Sequence, residues 1–297
     1  MTRAVLLASA LLASCALRAA ATAAASGLAH RRSPYVGALS ADAATGRILF
    51  EDNADREAYP ASVTKLMTAL LVLEDVAAGR YSLSTRVVAT DEVYKCEPSI
   101  VGLRAGQSMT VDDLLMSLLV KSANDAAIAL GVNSAGSLDA FVARMNKRAE
   151  ELGMTHTKYY NPNGLPPKRK YGTTAFNVTT CRDQLKLARK ILDTKGILRY
   201  TSTKIGQVTD GSGKPLKFVN HNNVMVKDKR KVINPDGSEA VDGLKTGYID
   251  AGGSSVVLTG RRHGKRAIAI VLGSASSNER DDNAARILAD ALGAIAW

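Results

Sequence analysis

Three short segments carry residue types that could do covalent chemistry together. The first is Ser62-Val63-Thr64-Lys65. Residues three apart share one face of a helix, so a helix starting here sets the Ser62 hydroxyl beside the Lys65 amine. A serine hydroxyl attacks a carbonyl only when a base removes its proton. A lysine can be that base when burial and neighbouring cations depress its pKa. A helix N-terminus also favours negative charge developing near Ser62. The second segment, Ser122-Ala123-Asn124, offers a hydroxyl able to relay a proton to a leaving group. It also offers an amide able to orient Lys65 and bind a substrate amide. The third, Lys245-Thr246-Gly247, supplies a cation and a hydroxyl for a carboxylate. On an edge strand, Gly247 would let a substrate backbone approach closely. Each segment also has an ordinary reading: S-x-x-K recurs by chance, Ser-Ala-Asn-Asp is a helix N-cap cluster, and Lys-Thr-Gly is a charged turn. Their occurrence together, in this order, points to acyl transfer through a serine ester.

The elements that must position these residues are legible in the hydrophobic pattern. Tyr35 to Ser40 and Arg47 to Phe50 read as short strands joined by a turn over Ala43-Ala44-Thr45-Gly46. Ala61 to Ala77 reads as a helix, with Leu66, Leu70, Leu71 and Leu73 at helical spacing, Pro60 just before it and Gly79 just beyond. Further helices are expected over Val111 to Val120 with Thr110 as N-cap, Asn124 to Gly131, and Leu138 to Leu152 with Gly153 at the C-cap. Asn161 to Tyr171 is loop-like, and Thr180 to Leu192 is helical, capped by Thr179 or Thr180. Tyr200 to Val208, Leu216 to Asn220, Ser254 to Gly260 and Arg266 to Leu272 read as antiparallel strands, and Glu279 to Leu292 as a last helix. Strands, a block of helices, strands and a final helix imply an α+β fold with an antiparallel sheet flanked by helices, not βαβ alternation. The Ser122 segment falls on the link between two of the helices.

The 297 residues, 46% of them apolar, suffice for a substantial core. A net charge of +11 reads as solubility or as attraction to an acidic surface. Aromatic residues make up only 5%, and no basic helix is interleaved with them, so nucleic-acid binding has little support. Met1-Thr2-Arg3, the apolar run Ala4 to Leu17 and the Ala-rich stretch through Ser26 have the anatomy of an export signal, too short for a membrane span. This places the mature protein outside the cytoplasm. Leu12-Ala13-Ser14-Cys15 resembles a bacterial lipobox, in which the cysteine is acylated and would tie the protein to a membrane; plain cleavage near Ala23 to Ala25 is the alternative. Cys96 and Cys181 could pair in an oxidising compartment, although sequence does not show that they approach. With four scattered His and no C-x-x-C or H-E-x-x-H, no metal or cofactor is expected.

Pro60-Ala61-Ser62-Val63-Thr64-Lys65, Lys121-Ser122-Ala123-Asn124-Asp125 and Val241-Asp242-Gly243-Leu244-Lys245-Thr246-Gly247-Tyr248 resemble the D-alanyl-D-alanine carboxypeptidases among the low-molecular-mass penicillin-binding proteins. Met145-Asn146, Leu152-Gly153-Met154 and Asn161-Pro162-Asn163-Gly164-Leu165 extend the resemblance, which covers Tyr35 to the C-terminus. It implies a five-stranded antiparallel sheet with helices on both sides and a mostly helical subdomain. It implies that Ser62 attacks the carbonyl of the penultimate D-Ala of a peptidoglycan stem peptide while Lys65 takes its proton. The backbone N–H groups of Ser62 and Tyr248 would form the oxyanion hole. Ser122, assisted by Lys245, would protonate the departing D-Ala, and Asn124 would hold the substrate amide. Lys245, Thr246 and Arg280 would bind the terminal carboxylate. β-Lactams would acylate Ser62 as mimics of D-Ala-D-Ala.

The sequence departs from the family at Ala123, where Gly is usual, and at Ile249, where a polar residue often follows the K-T-G-aromatic segment. Both bear on substrate preference. The expected organisation is an export signal over 1–26 and one catalytic domain over 27–297, without the C-terminal β-rich domain and amphipathic anchor of many relatives. A lipid on Cys15 would replace that anchor. Competing readings are a D,D-endopeptidase with the same residues, a β-lactamase, and a wall-binding protein without turnover. The β-lactamase reading lacks an E-x-x-L-N-type carboxylate between Asn124 and Lys245.

Overall fold

The computed structural model describes residues 32–96, 98–167, 175–227 and 230–295. The expected leader, the lipobox at Cys15 and the end of the Asn161 to Tyr171 loop lie outside them. In chain order the elements are β1 (Gly37–Asp42), β2 (Ile48–Asp52), a 3-10 turn (Ala61–Thr64), α1 (Lys65–Ala77), β3 (Arg86–Val88), β4 (Ser108–Thr110) and α2 (Val111–Met116). A π turn (Ser117–Lys121), α3 (Asn124–Ala135), α4 (Leu138–Glu151), α5 (Cys181–Leu192), α6 (Ile197–Thr201), β5 (Ile205–Thr209), β6 (Pro215–Val219) and α7 (Asn223–Val226) follow. Then come β7 (Val241–Ile249), β8 (Gly253–Arg262), β9 (Lys265–Ser274) and α8 (Ser277–Ile295).

Five strands form one antiparallel sheet in the order β2-β1-β9-β8-β7, which leaves β7 at an edge. Both faces are covered, and for that reason β9 reads as a continuous apolar run. Ala267, Ala269 and Val271 pack against Ala284, Ile287, Leu288, Ala291 and Leu292 of α8. Ile268, Ile270 and Leu272 face the other way, into the core shared with α1 and α5. Small residues thus admit the long helix on one face, and larger ones fill the other. Every residue of α1 from Lys65 to Leu73 is buried, since this helix lies between the sheet and the helical subdomain of α2, α3 and α4. A helix apolar all round belongs in such a place.

The structure adjusts several expectations. Tyr200 lies in the short helix α6, where its hydroxyl donates to Asp112 Oδ1 at 2.6 Å, and the strand begins only at Ile205. Gly196, at φ 91°, starts that helical turn, and the Asp112 contacts override the strand propensity around Tyr200. β5 and β6 form their own two-stranded ribbon apart from the main sheet, as do β3 and β4. The helix expected to run to Val120 leaves α-geometry at Ser117, whose hydroxyl donates back to Asp113 O at 2.7 Å, and widens into the π turn. Cys96 and Cys181 are both buried, and no disulfide joins them. Among the described residues no single helix is long and apolar enough to cross a membrane.

Candidate active site

The local backbone around Ser62 is built by three elements. The chain enters the 3-10 turn through Ala61 at φ 48°, an unusual conformation for a residue with a Cβ. In a 3-10 turn, residues three apart stack directly above one another, so the geometry sets Ser62 over Lys65 more tightly than an α-helix would. Gly164, at φ 82°, packs so closely on the Ala61 carbonyl that a Cβ there would come within 1.8 Å of the oxygen. The third element is β7: a Cβ on Gly247 would stand 2.6 Å from Pro60 O, 2.9 Å from Ser62 N and 3.0 Å from Val63 N. The backbone that approaches Gly247 is therefore the chain's own Ser62 turn, which makes glycine necessary there before any substrate arrives. This approach also brings the segment carrying the Tyr248 N–H next to the one carrying the Ser62 N–H.

Lys65 is fully buried and has three polar neighbours. Its Nζ lies 2.7 Å from Ser62 Oγ, 2.8 Å from Asn124 Oδ1 and 2.9 Å from the Asn163 carbonyl oxygen. Burial, with the nearby Lys245 cation, holds its pKa well below the usual lysine value. A neutral amine has two N–H donors and one lone pair. In that form the Asn124 and Asn163 oxygens would take the two N–H bonds, leaving the lone pair for the Ser62 proton. Such an arrangement can remove the Ser62 proton as the hydroxyl attacks.

Asn163 was not assigned a role from sequence, although its segment stood out. Its carbonyl is held by a buried network. Thr68 Oγ1 donates to Pro162 O at 2.6 Å, and Asn177 Nδ2 donates to Thr64 Oγ1 and Asn161 O, both at 3.0 Å. Asn177 Oδ1 accepts from the Tyr160 and Asn161 N–H groups. Asn177 gave no signal in sequence, because its partners are distant along the chain.

The π turn ends at Ser122, in left-handed geometry at φ 63°. A π turn and a strained non-glycine residue at one point are a common mark of a functional position. Asn124 begins α3, and Asp125 beside it fixes the opposite wall. Its buried carboxylate accepts from the N–H groups of Val101, Gly102, Leu103 and Ala126, drawing the 99–103 segment onto the helix. Burial pushes the Asp125 carboxyl up, and these four backbone bonds oppose the shift.

Comparison with known proteins fits this geometry. The family described as D-alanyl-D-alanine carboxypeptidase matches residues 33–276. The chain belongs to this family. It is 30% identical over 244 residues to the D-alanyl-D-alanine carboxypeptidase DacF of Bacillus subtilis, covering 82% of this chain and 58% of that protein. The carboxypeptidase-family chain thus spans little more than half the length of that curated relative. A D-alanyl-D-alanine endopeptidase of Pseudomonas aeruginosa is 35% identical over 150 residues, 50% of this chain and 45% of that one. Penicillin-binding protein D2 of Listeria monocytogenes, solved in its ampicillin-bound form, superposes with a TM-score of 0.72 at 29% identity, covering 87% of this chain and 97% of that one. As the resemblance predicted, the fold is α+β, with a five-stranded antiparallel sheet and a helical subdomain.

The remaining family positions converge on one cleft of about 720 Å³, lined by Ser62, Ser122, Thr246, Gly247, Tyr248 and Arg280 among others. Lys245 sits behind this wall, 2% exposed, its Nζ donating to Thr246 O at 2.8 Å. Burial and the Arg280 charge push its pKa down to about 7. The Arg280 guanidinium, a candidate partner of the terminal carboxylate, is held by Asp281 Oδ1, with Nε at 2.7 Å and a terminal nitrogen at 2.6 Å. This pairing fixes its orientation at the cleft edge. Tyr248 stands at the lip, 56% exposed. His221, unremarked in sequence, also lines the cleft. The ring is solvent-exposed, and partial desolvation in the cleft with the Lys245, Lys121, Lys65 and Arg280 charges pushes its pKa down.

Proposed function

We propose that this chain is a serine-type D-alanyl-D-alanine carboxypeptidase acting on peptidoglycan stem peptides, exported by the leader over 1–26. The observation that carries the reading is the buried Lys65 amine 2.7 Å from Ser62 Oγ. Lys65 takes the Ser62 proton while Oγ attacks the carbonyl of the penultimate D-Ala. The developing oxyanion is met by the Ser62 and Tyr248 N–H groups. The C–N bond breaks, and the departing amine takes a proton through Ser122. Water then attacks the ester on Ser62, again giving its proton to Lys65, and releases the shortened peptide. Asn124 holds both Lys65 and the substrate amide, while Lys245, Thr246 and Arg280 hold the terminal carboxylate. That last grip selects for a chain end, the defining property of an exopeptidase. β-Lactams, which mimic the same terminus, acylate Ser62. A lipid on Cys15 would hold the exported protein at a membrane, and 27–297 would act as one catalytic domain.

The test is a mass-spectrometric profile of muropeptides digested with the purified protein. Loss of one alanine from pentapeptides is the expected result. Unchanged muropeptides would leave a wall-binding protein without turnover. Cleaved dimers would give the second reading, a D,D-endopeptidase using the same residues, for which a cleft of about 720 Å³ leaves room.

A further inference from the structure

The cleft is larger than two alanine residues require, and its volume is in the range of sites that enclose whole drug-sized ligands. The end of β6 and α7 form one arm of the same cleft, lined by Lys217, Val219, His221, Val226 and Lys227. The arm is tied to the carboxylate end of the site: Asn223 Nδ2 of α7 donates at 2.9 Å to Asp281 Oδ2, the carboxylate that pairs with Arg280. With its terminal carboxylate at Lys245, Thr246 and Arg280, a leaving group lies in the same cleft as these walls.

The charge on these walls is one-sided. Lys121, Lys217 and Lys227 line the cleft, and among the described residues no Asp or Glu does. None of the three lysines forms an ion pair among the described residues, whereas Lys186, Lys204 and Lys231 elsewhere each pair with a carboxylate. A D-Ala leaving group carries a single carboxylate, which Lys245 and Arg280 already match. The lysines farther out have nothing to balance them in that substrate.

We propose that this arm is a leaving-group subsite for residues carrying a carboxylate beyond the terminal one, with Lys217 and Lys227 as its cationic walls. Amine-donor strands of peptide cross-links that carry free carboxylates belong to this class. The proposal rests on the carboxypeptidase reading above and adds a preference to it.

The test uses three peptides with one acyl donor, ending in D-Ala-D-Ala, D-Ala-D-Glu and D-Ala-D-Gln. D-Glu and D-Gln are nearly isosteric and differ in the charge at issue. At low ionic strength, kcat/KM for the D-Glu peptide should exceed that for D-Gln by about three- to tenfold, the effect of one or two partly exposed ion pairs. The ratio should shrink in high salt and fall to about one in the Lys217→Ala/Lys227→Ala double variant. Lys217→Glu should reverse it. Equal or faster release from the D-Gln peptide by the wild type, with D-Ala released normally, overturns the subsite. Release from none of the three overturns the carboxypeptidase reading and this one with it.

Discussion

Gly247→Ala isolates the contact between β7 and the nucleophile turn. The added methyl would begin 2.6 Å from Pro60 O, 2.9 Å from Ser62 N and 3.0 Å from Val63 N, all backbone atoms with no rotamer to escape into. Bringing the shortest contact out to an ordinary 3.4 Å requires the two segments to part by about 0.8 Å. The turn resists, since Gly164 packs on Ala61 from the other side. A displacement of this size between the nucleophile and its oxyanion donors lowers the rate on the order of a hundredfold, about 2.7 kcal/mol of transition-state stabilisation. The assay is the second-order rate constant for acylation by a fluorescent penicillin, with Tm measured alongside. Gly293→Ala is the control, at a helical position where a Cβ meets nothing within 4 Å. Acylation of a folded Gly247→Ala protein within twofold of wild type would refute the argument that this contact sets the oxyanion geometry.

Three further outcomes follow from the site. Lys245 must be cationic to hold a carboxylate, and its depressed pKa of about 7 means that kcat/KM should fall by roughly tenfold per pH unit above 7. A bound carboxylate stabilises the cation, so kcat should hold to higher pH; parallel decline of both would contradict the assignment. Unfolding does not mimic this loss, because a lysine with a lowered folded pKa adds stability as pH rises from about 7 toward its unfolded value near 10. The penicilloyl-enzyme should persist for minutes or longer, since the tethered ring blocks the path that D-Ala vacates and no described carboxylate lines the cleft to activate water from another side. Rapid recovery of the unmodified mass would mark a β-lactamase. Radiolabelled palmitate should enter the full chain in cells but not Cys15→Ser, and an unmodified N-terminus near Ala25 would dispose of lipidation.

What sequence made legible was local. The A-I-A-I-V-L run of β9, the leucine spacing of α1 and the Thr110 and Thr180 caps each follow from a few neighbouring residues, and each stands in the structure. Ser62, Lys65 and Asn124 meet because two of them are a turn apart and the third opens a helix packed alongside. The rest depends on distant contacts. Asn163 acts through a carbonyl, which every residue has, so no residue type announces it. Tyr200 belongs to a helix because Asp112, far earlier in the chain, holds its hydroxyl. The π turn that ends at Ser122 lies within a run that reads as plain helix, since its wider turns come from backbone geometry and not from residue type. The two cysteines are both core residues, which their number alone does not reveal.

The central claim is that Ser62, activated by Lys65, forms the acyl-enzyme. Intact-mass spectrometry after a penicillin pulse, followed by peptide mapping, tests it directly. One adduct per chain on the Ser62 peptide is predicted, lost in folded Ser62→Ala and greatly slowed in Lys65→Ala. An adduct that persists in folded Ser62→Ala, or maps to another residue, would contradict the account.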